Sequence, residues 1–208
     1  MARATPSRKG EKPQDAIALL KQDHRIVEQL FEQFEEADEG EGIPIAQLVC
    51  QLLTIHAQIE EEILYPAAKE ALSAEGEEEG EMVYEAEVEH ASAKDLIAKI
   101  EDMGEQDEEY NATVKVLSEY IKHHVKEEEN EMFPALKKTE LDLKELGARL
   151  FERKQQLMTA MGVVEPEEAA PTPRRAKAKA KSRGTKAGAH AASRAKSKSK
   201  SSGRAARH

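Results

Sequence analysis

The stretch His56-Ala-Gln-Ile-Glu-Glu-Glu-Ile-Leu-Tyr-Pro66 decides how this chain folds. It recurs as His124-Val-Lys-Glu-Glu-Glu-Asn-Glu-Met-Phe-Pro134. Both copies read His-x3-Glu-Glu-x2-hydrophobic-aromatic-Pro. Two further histidines, His24 and His90, precede the copies by 32 and 34 residues. On an α-helix, residues i and i+4 lie on one face a turn apart. His56 and Glu60 can therefore hold one metal ion, or join two neighbouring ions, and so can His124 and Glu128. The repeat predicts a two-metal site, built twice over, inside a helical bundle.

The surrounding periodicity supports this. A first helix starts near Gln14–Asp15, and Leu20, His24, Val27, Phe31 and Phe34 share one face. Gly40 and Gly42 are expected to end it. Pro44 suits the first turn of a second helix whose inner face runs Val49, Leu52, Leu53, His56, Ile59, Glu60 and Ile63. Pro66 lacks an amide hydrogen, so it should kink or end that helix. The acidic run 75–81 reads as a solvated loop or a frayed helix start. A third helix carries Val83, Glu87, His90, Ile97 and Ile100 and closes at Gly104. A fourth, from near Asp107, carries Val114, Leu117, Tyr120, Ile121, His124, Glu128 and Met132. A fifth amphipathic helix spans Asp142 to Met161, with Asp142 and Glu145 resembling a capping box. The chain has no Trp, few aromatics and no alternating β pattern. The predicted fold is all-α: an antiparallel up-down four-helix bundle with an additional C-terminal helix and disordered tails. The domain reads as residues 14–162, between a polar arm at 1–13 and a tail at 163–208.

Charge divides the chain. Residues 169–208 hold thirteen of its 31 Lys and Arg and none of its 41 Asp and Glu. The tail has almost no large apolar residue, so burial cannot offset its ordering entropy. Such a tail binds polyanions by releasing counterions, without reading sequence. Nucleic acid is the expected partner, through residues 174–208. The alternatives are a solubility tail folding back on the acidic body and contact with anionic lipid, for which the stretch lacks apolar anchors. The segments RRAKAKAKSRG and SRAKSKSKSSGR resemble the basic tails of linker-histone-like bacterial proteins. The single cysteine, Cys50, fits a reducing compartment. No apolar run approaches the ~20 residues that span a membrane, and no secretory signal is legible. The expected location is the cytoplasm, with no membrane partner.

The alternative for the repeated residues is a polar surface stripe. His24, His56 and His124 fall within apolar stripes, however, and an unpaired carboxylate buried there would cost several kcal/mol. Imidazole with carboxylate suits iron, manganese or zinc. Carboxylates facing one another in a bundle core are the arrangement of di-iron and di-manganese proteins. His123 and Glu127 also read His-x3-Glu. Only His124, though, stands ten residues before its proline, as His56 does before Pro66. His123 is rotated about 100° away.

The segments DHRIVEQLF, HAQIEEEILYP, EHASAKDLI and HHVKEEENEMFP together resemble the hemerythrin-like HHE cation-binding domains over roughly residues 14–138. The resemblance implies a non-haem di-iron centre, two irons bridged by carboxylate and oxo groups. It implies His24, His56, His90 and His124 as ligands, with Glu60 and Glu128 as bridging carboxylates. It also implies a small diatomic ligand or peroxide. Oxygen-carrying hemerythrins need a second histidine one turn from the ligand on helix three. Here Lys94 and Ala86 stand at those places, which argues against an oxygen carrier. Glu87, three residues before His90, is a candidate for the open position. Glu28, at i+4 from His24, is a candidate ligand or support. Tyr65 is a candidate hydrogen-bond donor or a core residue. The functions in view are handling or sensing of iron, oxygen, peroxide or nitric oxide, with a peroxidase-like or catalase-like activity among them. Beside these stand an iron- or oxidant-responsive protein acting on nucleic acid through its tail, and a purely structural bundle.

Overall fold

The computed structural model describes residues 15–164 except 39, 75, 105 and 106. The arm at 1–13 and the basic segment from 165 onward lie outside the described residues. Helix α1, Ala16–Glu36, is capped by Asp15, whose Oδ1 accepts the Ala18 amide at 2.8 Å. Leu20, His24, Val27 and Phe31 are buried along it, the stripe their spacing predicts. Gly42 does not end α1. It opens α2, Gly42–Ile59, which carries Pro44 in its first turn.

Pro66 does not end the second helix either. A π turn, Glu60–Leu64, joins α2 to α3, Tyr65–Ser73, so the helix runs on without a break. The Tyr65 amide donates to the Glu60 carbonyl, five residues back. Proline has no amide to offer the next carbonyl and its ring crowds the α register; widening the turn relieves both. The same device recurs in the second copy. Helix α5, Tyr110–Glu127, passes through a second π turn, Glu128–Met132, into α6, Phe133–Leu136. Between them lies α4, Glu77–Asp102, which begins inside the acidic run, the helix start that is one of its two readings.

These elements form the antiparallel up-down four-helix bundle: α1, α2 with α3, α4, and α5 with α6. Every regular element among the described residues is helical. The continuous helix Gly42–Ser73 is long and apolar enough to cross a membrane, but half of its most apolar window is buried in the bundle. It is the core helix of the fold. Helix α7, Leu143–Met161, is capped by Asp142, which accepts the Lys144 and Glu145 amides at 3.0 Å. It packs against α1 and α2. Gly147 permits that approach, since a Cβ there would stand 2.6 Å from the Ala16 amide nitrogen. Gly162, at φ 68°, closes α7 in the left-handed region.

Candidate metal centre

Each of the four bundle helices sends one histidine into the middle: His24 from α1, His56 from α2, His90 from α4 and His124 from α5. All four are buried. Glu60 and Glu128, the first residues of the two π turns, are buried between them, at 0% and 1% exposure. The imidazoles all turn Nε2 inward. His24 Nε2 lies 3.2 Å from His56 Nε2, and His90 Nε2 lies 3.1 Å from His124 Nε2. Glu60 Oε2 stands 3.2 Å from His56 Nε2 and 3.4 Å from His90 Nε2, so it belongs to both pairs. Glu128 Oε2 stands 3.3 Å from His24 Nε2 and 3.7 Å from His124 Nε2. Two groups of potential ligand atoms result: His24, His56, Glu60 and Glu128, and Glu60, His90 and His124. Every residue the sequence singles out as a ligand from the repeat is in one of them.

The outward nitrogens are equally ordered. Each Nδ1 faces a carboxylate: His24 to Glu129 at 3.0 Å, His56 to Asp23 at 3.4 Å, His90 to Glu61 at 3.1 Å and His124 to Glu89 at 2.7 Å. A carboxylate accepts the Nδ1 hydrogen and leaves Nε2 as a bare lone pair, the tautomer a metal needs. Three of these acids are held by lysines: Glu129 by Lys21, Glu61 by Lys94 and Asp23 by Lys154, at 2.7, 2.6 and 2.5 Å.

Electrostatics frustrate the pocket. Burial and the facing charge of Glu128 push Glu60 well above the usual carboxylate range. Burial acts the same way on Glu128, but His124 and His24 outweigh it and hold Glu128 low. Burial lowers His56 to about 4 despite its bond to Asp23. Burial also opposes charge on His24, yet the carboxylates of Glu128 and Glu129 beside it raise it to about 10. Glu60 Oε1, Glu60 Oε2 and Glu128 Oε2 are buried and accept no hydrogen bond. Orphaned oxygens of this kind cost about 1–3 kcal/mol each. Divalent cations among the inward Nε2 atoms would satisfy them together, and this donor set fits imidazole- and carboxylate-loving metals such as iron, manganese or zinc.

The other candidates fall outside. Glu87 is held by Lys69 at 2.6 Å, and Glu28 is exposed. His123 is 60% exposed and pairs with Glu127 at 3.1 Å. Tyr65 is more than core packing: its hydroxyl donates to Glu128 Oε1 at 3.0 Å and lies 3.1 Å from His90 Nε2. Its counterpart Phe133 stacks on His24, with ring centroids 6.0 Å apart. Sequence reasoning misses the supporting acids although the repeat contains them. Glu61 and Glu129 are the second Glu of each copy, and Asp23 and Glu89 each stand one residue before a histidine. Lys154, 131 residues from Asp23 along the chain, leaves no local signal.

The sequence is 28% identical over 120 residues to a DNA nickase from a Nostoc species, a match covering 57% of this chain and 32% of that protein. The chain thus spans about a third of that relative's length. The fold resembles the crystal structure of a hemerythrin HHE cation-binding domain-containing protein from Mycobacterium kansasii, with a TM-score of 0.60 and 24% identity. That likeness covers 70% of this chain and 88% of the other. The profile of the hemerythrin HHE cation-binding domain matches residues 15–136, the whole four-helix bundle with both π turns, and the chain belongs to that family of metal-binding domains.

Proposed function

We propose that this chain is a non-haem di-iron protein that handles or senses a small oxidant or diatomic gas: oxygen, nitric oxide or peroxide. The observation that carries the reading is Glu60, buried and shared between two His-containing clusters. His24, His56, His90 and His124 would hold the irons through Nε2, together with the carboxylates of Glu60 and Glu128. A pair of irons so held supplies one- and two-electron redox chemistry to a bound small molecule. The protein holds the imidazole tautomers through the four Nδ1 contacts and excludes bulk water. The Tyr65 hydroxyl donates its hydrogen to Glu128 Oε1 and so would steady that carboxylate beside His90. Lys94 stands where a carrier would have its extra histidine, and it is engaged with Glu61.

The four histidines also line a cavity of about 20 Å³, walled mainly by apolar side chains such as Val27, Leu53, Ala93 and Ile121, with Asp23 and Lys94 also in its lining. That volume suits a species the size of a water or diatomic molecule. The walls favour an uncharged one. Ala93→Val adds two methyl groups to the wall and should leave metal content unchanged while slowing nitric oxide binding by roughly tenfold or more. Binding at an unchanged rate would remove this cavity from the ligand's path.

The direct test is metal content and absorption of the full chain purified aerobically without chelator. About two irons per chain, with the near-ultraviolet bands of a bridged ferric pair, are expected. Zinc, or no metal even after anaerobic ferrous loading, would overturn the reading. His124→Ala should lose bound iron, whereas His123→Ala should retain the full amount. The reverse would place the ligand on the wrong histidine.

A second reading concerns nucleic acid. We infer that the basic segment 174–208 carries the bundle onto DNA, where it would respond to iron or oxidant. The segment's composition and the nickase relative support this. Deleting residues 169–208 should abolish DNA retardation at low salt and leave the iron spectrum intact. Retardation that survives the deletion would refute it.

A further inference from the structure

The two halves of the centre are related by the repeat, and besides Tyr65 and Phe133 they differ around Asp23 and Glu89. Asp23 and Glu89 are equivalent: each precedes a histidine and each takes the Nδ1 of the next helix's ligand histidine. Asp23 is covered by the buried Lys154 of α7. Glu89 instead turns its second oxygen outward. Its Oε2 holds His124 Nδ1 at 2.7 Å, while its Oε1 lies 3.8 Å from Nε2 of His123. His123 Nε2 lies 3.1 Å from Glu127 Oε1. Ligand atoms of Glu89, His123 and Glu127 all fall within 4.8 Å of one another, on the surface of the bundle.

A cavity of about 20 Å³ adjoins this cluster. Four acids, Glu85, Glu89, Glu127 and Glu131, line it beside His124, Glu128 and three apolar side chains. Glu128 is 1% exposed, and its Oε2 accepts no hydrogen bond. An acidic opening that ends on an orphaned buried carboxylate is poorly explained as solvent-facing ion pairs, which contribute little to stability. It is suited to drawing a cation inward, because clefts lined by one sign of charge concentrate the opposite ion.

We propose that Glu89, His123 and Glu127 form an outer divalent-cation site through which metal ions load the buried cluster, passing from His123 and Glu127 to Glu89 and then to Glu128 and His124. The proposal rests on the reading of the buried cluster as a metal centre. It assigns the acidic opening to cations and leaves the apolar cavity for the uncharged ligand. It also gives the second histidine of His123-His124 a task that its exposure otherwise denies it.

The test is the rate at which the metal-free full chain takes up cobalt(II), followed by the ion's visible absorption as it becomes coordinated. The double variant His123→Ala, Glu127→Gln should load at least about tenfold more slowly. Its final tight stoichiometry should equal that of the unaltered chain. Glu119→Gln, one charge removed from the same helix on an exposed residue paired with Lys122, should load at the original rate. Equal rates in the double variant would overturn the proposal. So would an equal slowing in Glu119→Gln, which would indicate only overall charge, or a loss of final stoichiometry, which would make the cluster part of the buried centre. If the unaltered chain takes up no cobalt at either stage, the buried centre itself is misread, and the loading site falls with it.

Discussion

Glu60→Met is expected to make the metal-free protein more stable and the metal-loaded protein less stable than the unaltered chain. Glu60 is fully buried, and neither of its carboxylate oxygens accepts a hydrogen bond. It faces Glu128, and burial together with that charge drives it toward the protonated form. Its nearest nitrogens belong to His56 and His90, whose burial holds them neutral and so unable to offset a charge. A methionine of similar volume removes the desolvation cost and keeps the packing. Replacements of this kind gain about 1–3 kcal/mol, or roughly 3–10 °C in Tm for a domain of this size. Metal reverses the order. A ligand at a thousand times its Kd stabilises the state that binds it by about 4 kcal/mol, and Glu60→Met would lose that contribution. Thermal unfolding of both chains, in chelator and with ferrous iron under anaerobic conditions, measures all four values. A variant less stable than the original in chelator would mean that Glu60 supports the fold in spite of its orphaned oxygens.

The same residues show what was legible in the sequence and what was not. Periodicity within one helix is a local signal, so the four histidines, Glu60 and Glu128 can be placed from spacing alone. The apolar stripes around them indicate the bundle and its fifth helix. What periodicity cannot supply is the π turn. In an uninterrupted α-helix at about 100° per residue, Tyr65, nine positions after His56, would face the opposite side. The extra residue in the turn brings Tyr65 back to the place of an eighth position, about 80° from His56, and so toward the centre. The motif's proline signals a disturbance but not its form. Glu28 stands at the same i+4 spacing from His24 as Glu60 from His56, yet it is exposed, because the elements packed around α1 leave that side uncovered. Glu87 reads as a possible ligand by its spacing from His90, but Lys69 of α3 holds it. That contact depends on how two helices pack, which spacing along one of them does not encode.

Lys154 is the extreme of such long-range dependence, and removing its charge should be among the costliest single changes in the bundle. It lies on α7, outside the four-helix repeat, and is 6% exposed. Its Nζ donates to Asp23 Oδ1 at 2.5 Å, and Asp23 Oδ2 faces His56 Nδ1 at 3.4 Å. Burial alone would raise the Asp23 carboxyl, but the bond from His56 and the charge of Lys154 hold it below the usual range. Lys154→Met leaves that carboxylate buried without its cation, a change that costs about 3–5 kcal/mol. Adding Asp23→Asn should restore part of the loss, because the stranded charge is gone; a coupling of about 0.5–3 kcal/mol is expected between two groups in contact. The iron site should respond differently from the fold. The carboxamide that replaces the Asp23 carboxylate can still accept from His56 Nδ1 through its carbonyl oxygen. The double variant should therefore regain stability and still bind metal, with less support for the His56 ligand. Denaturant unfolding of the two single variants and the double variant measures the coupling, and metal content reports the site. If Lys154→Met unfolds at the original midpoint, α7 is an appendage to the bundle. If it falls by the expected amount and Asp23→Asn recovers it, the fifth helix is part of the apparatus that orients the metal ligands, reaching them through one buried ion pair.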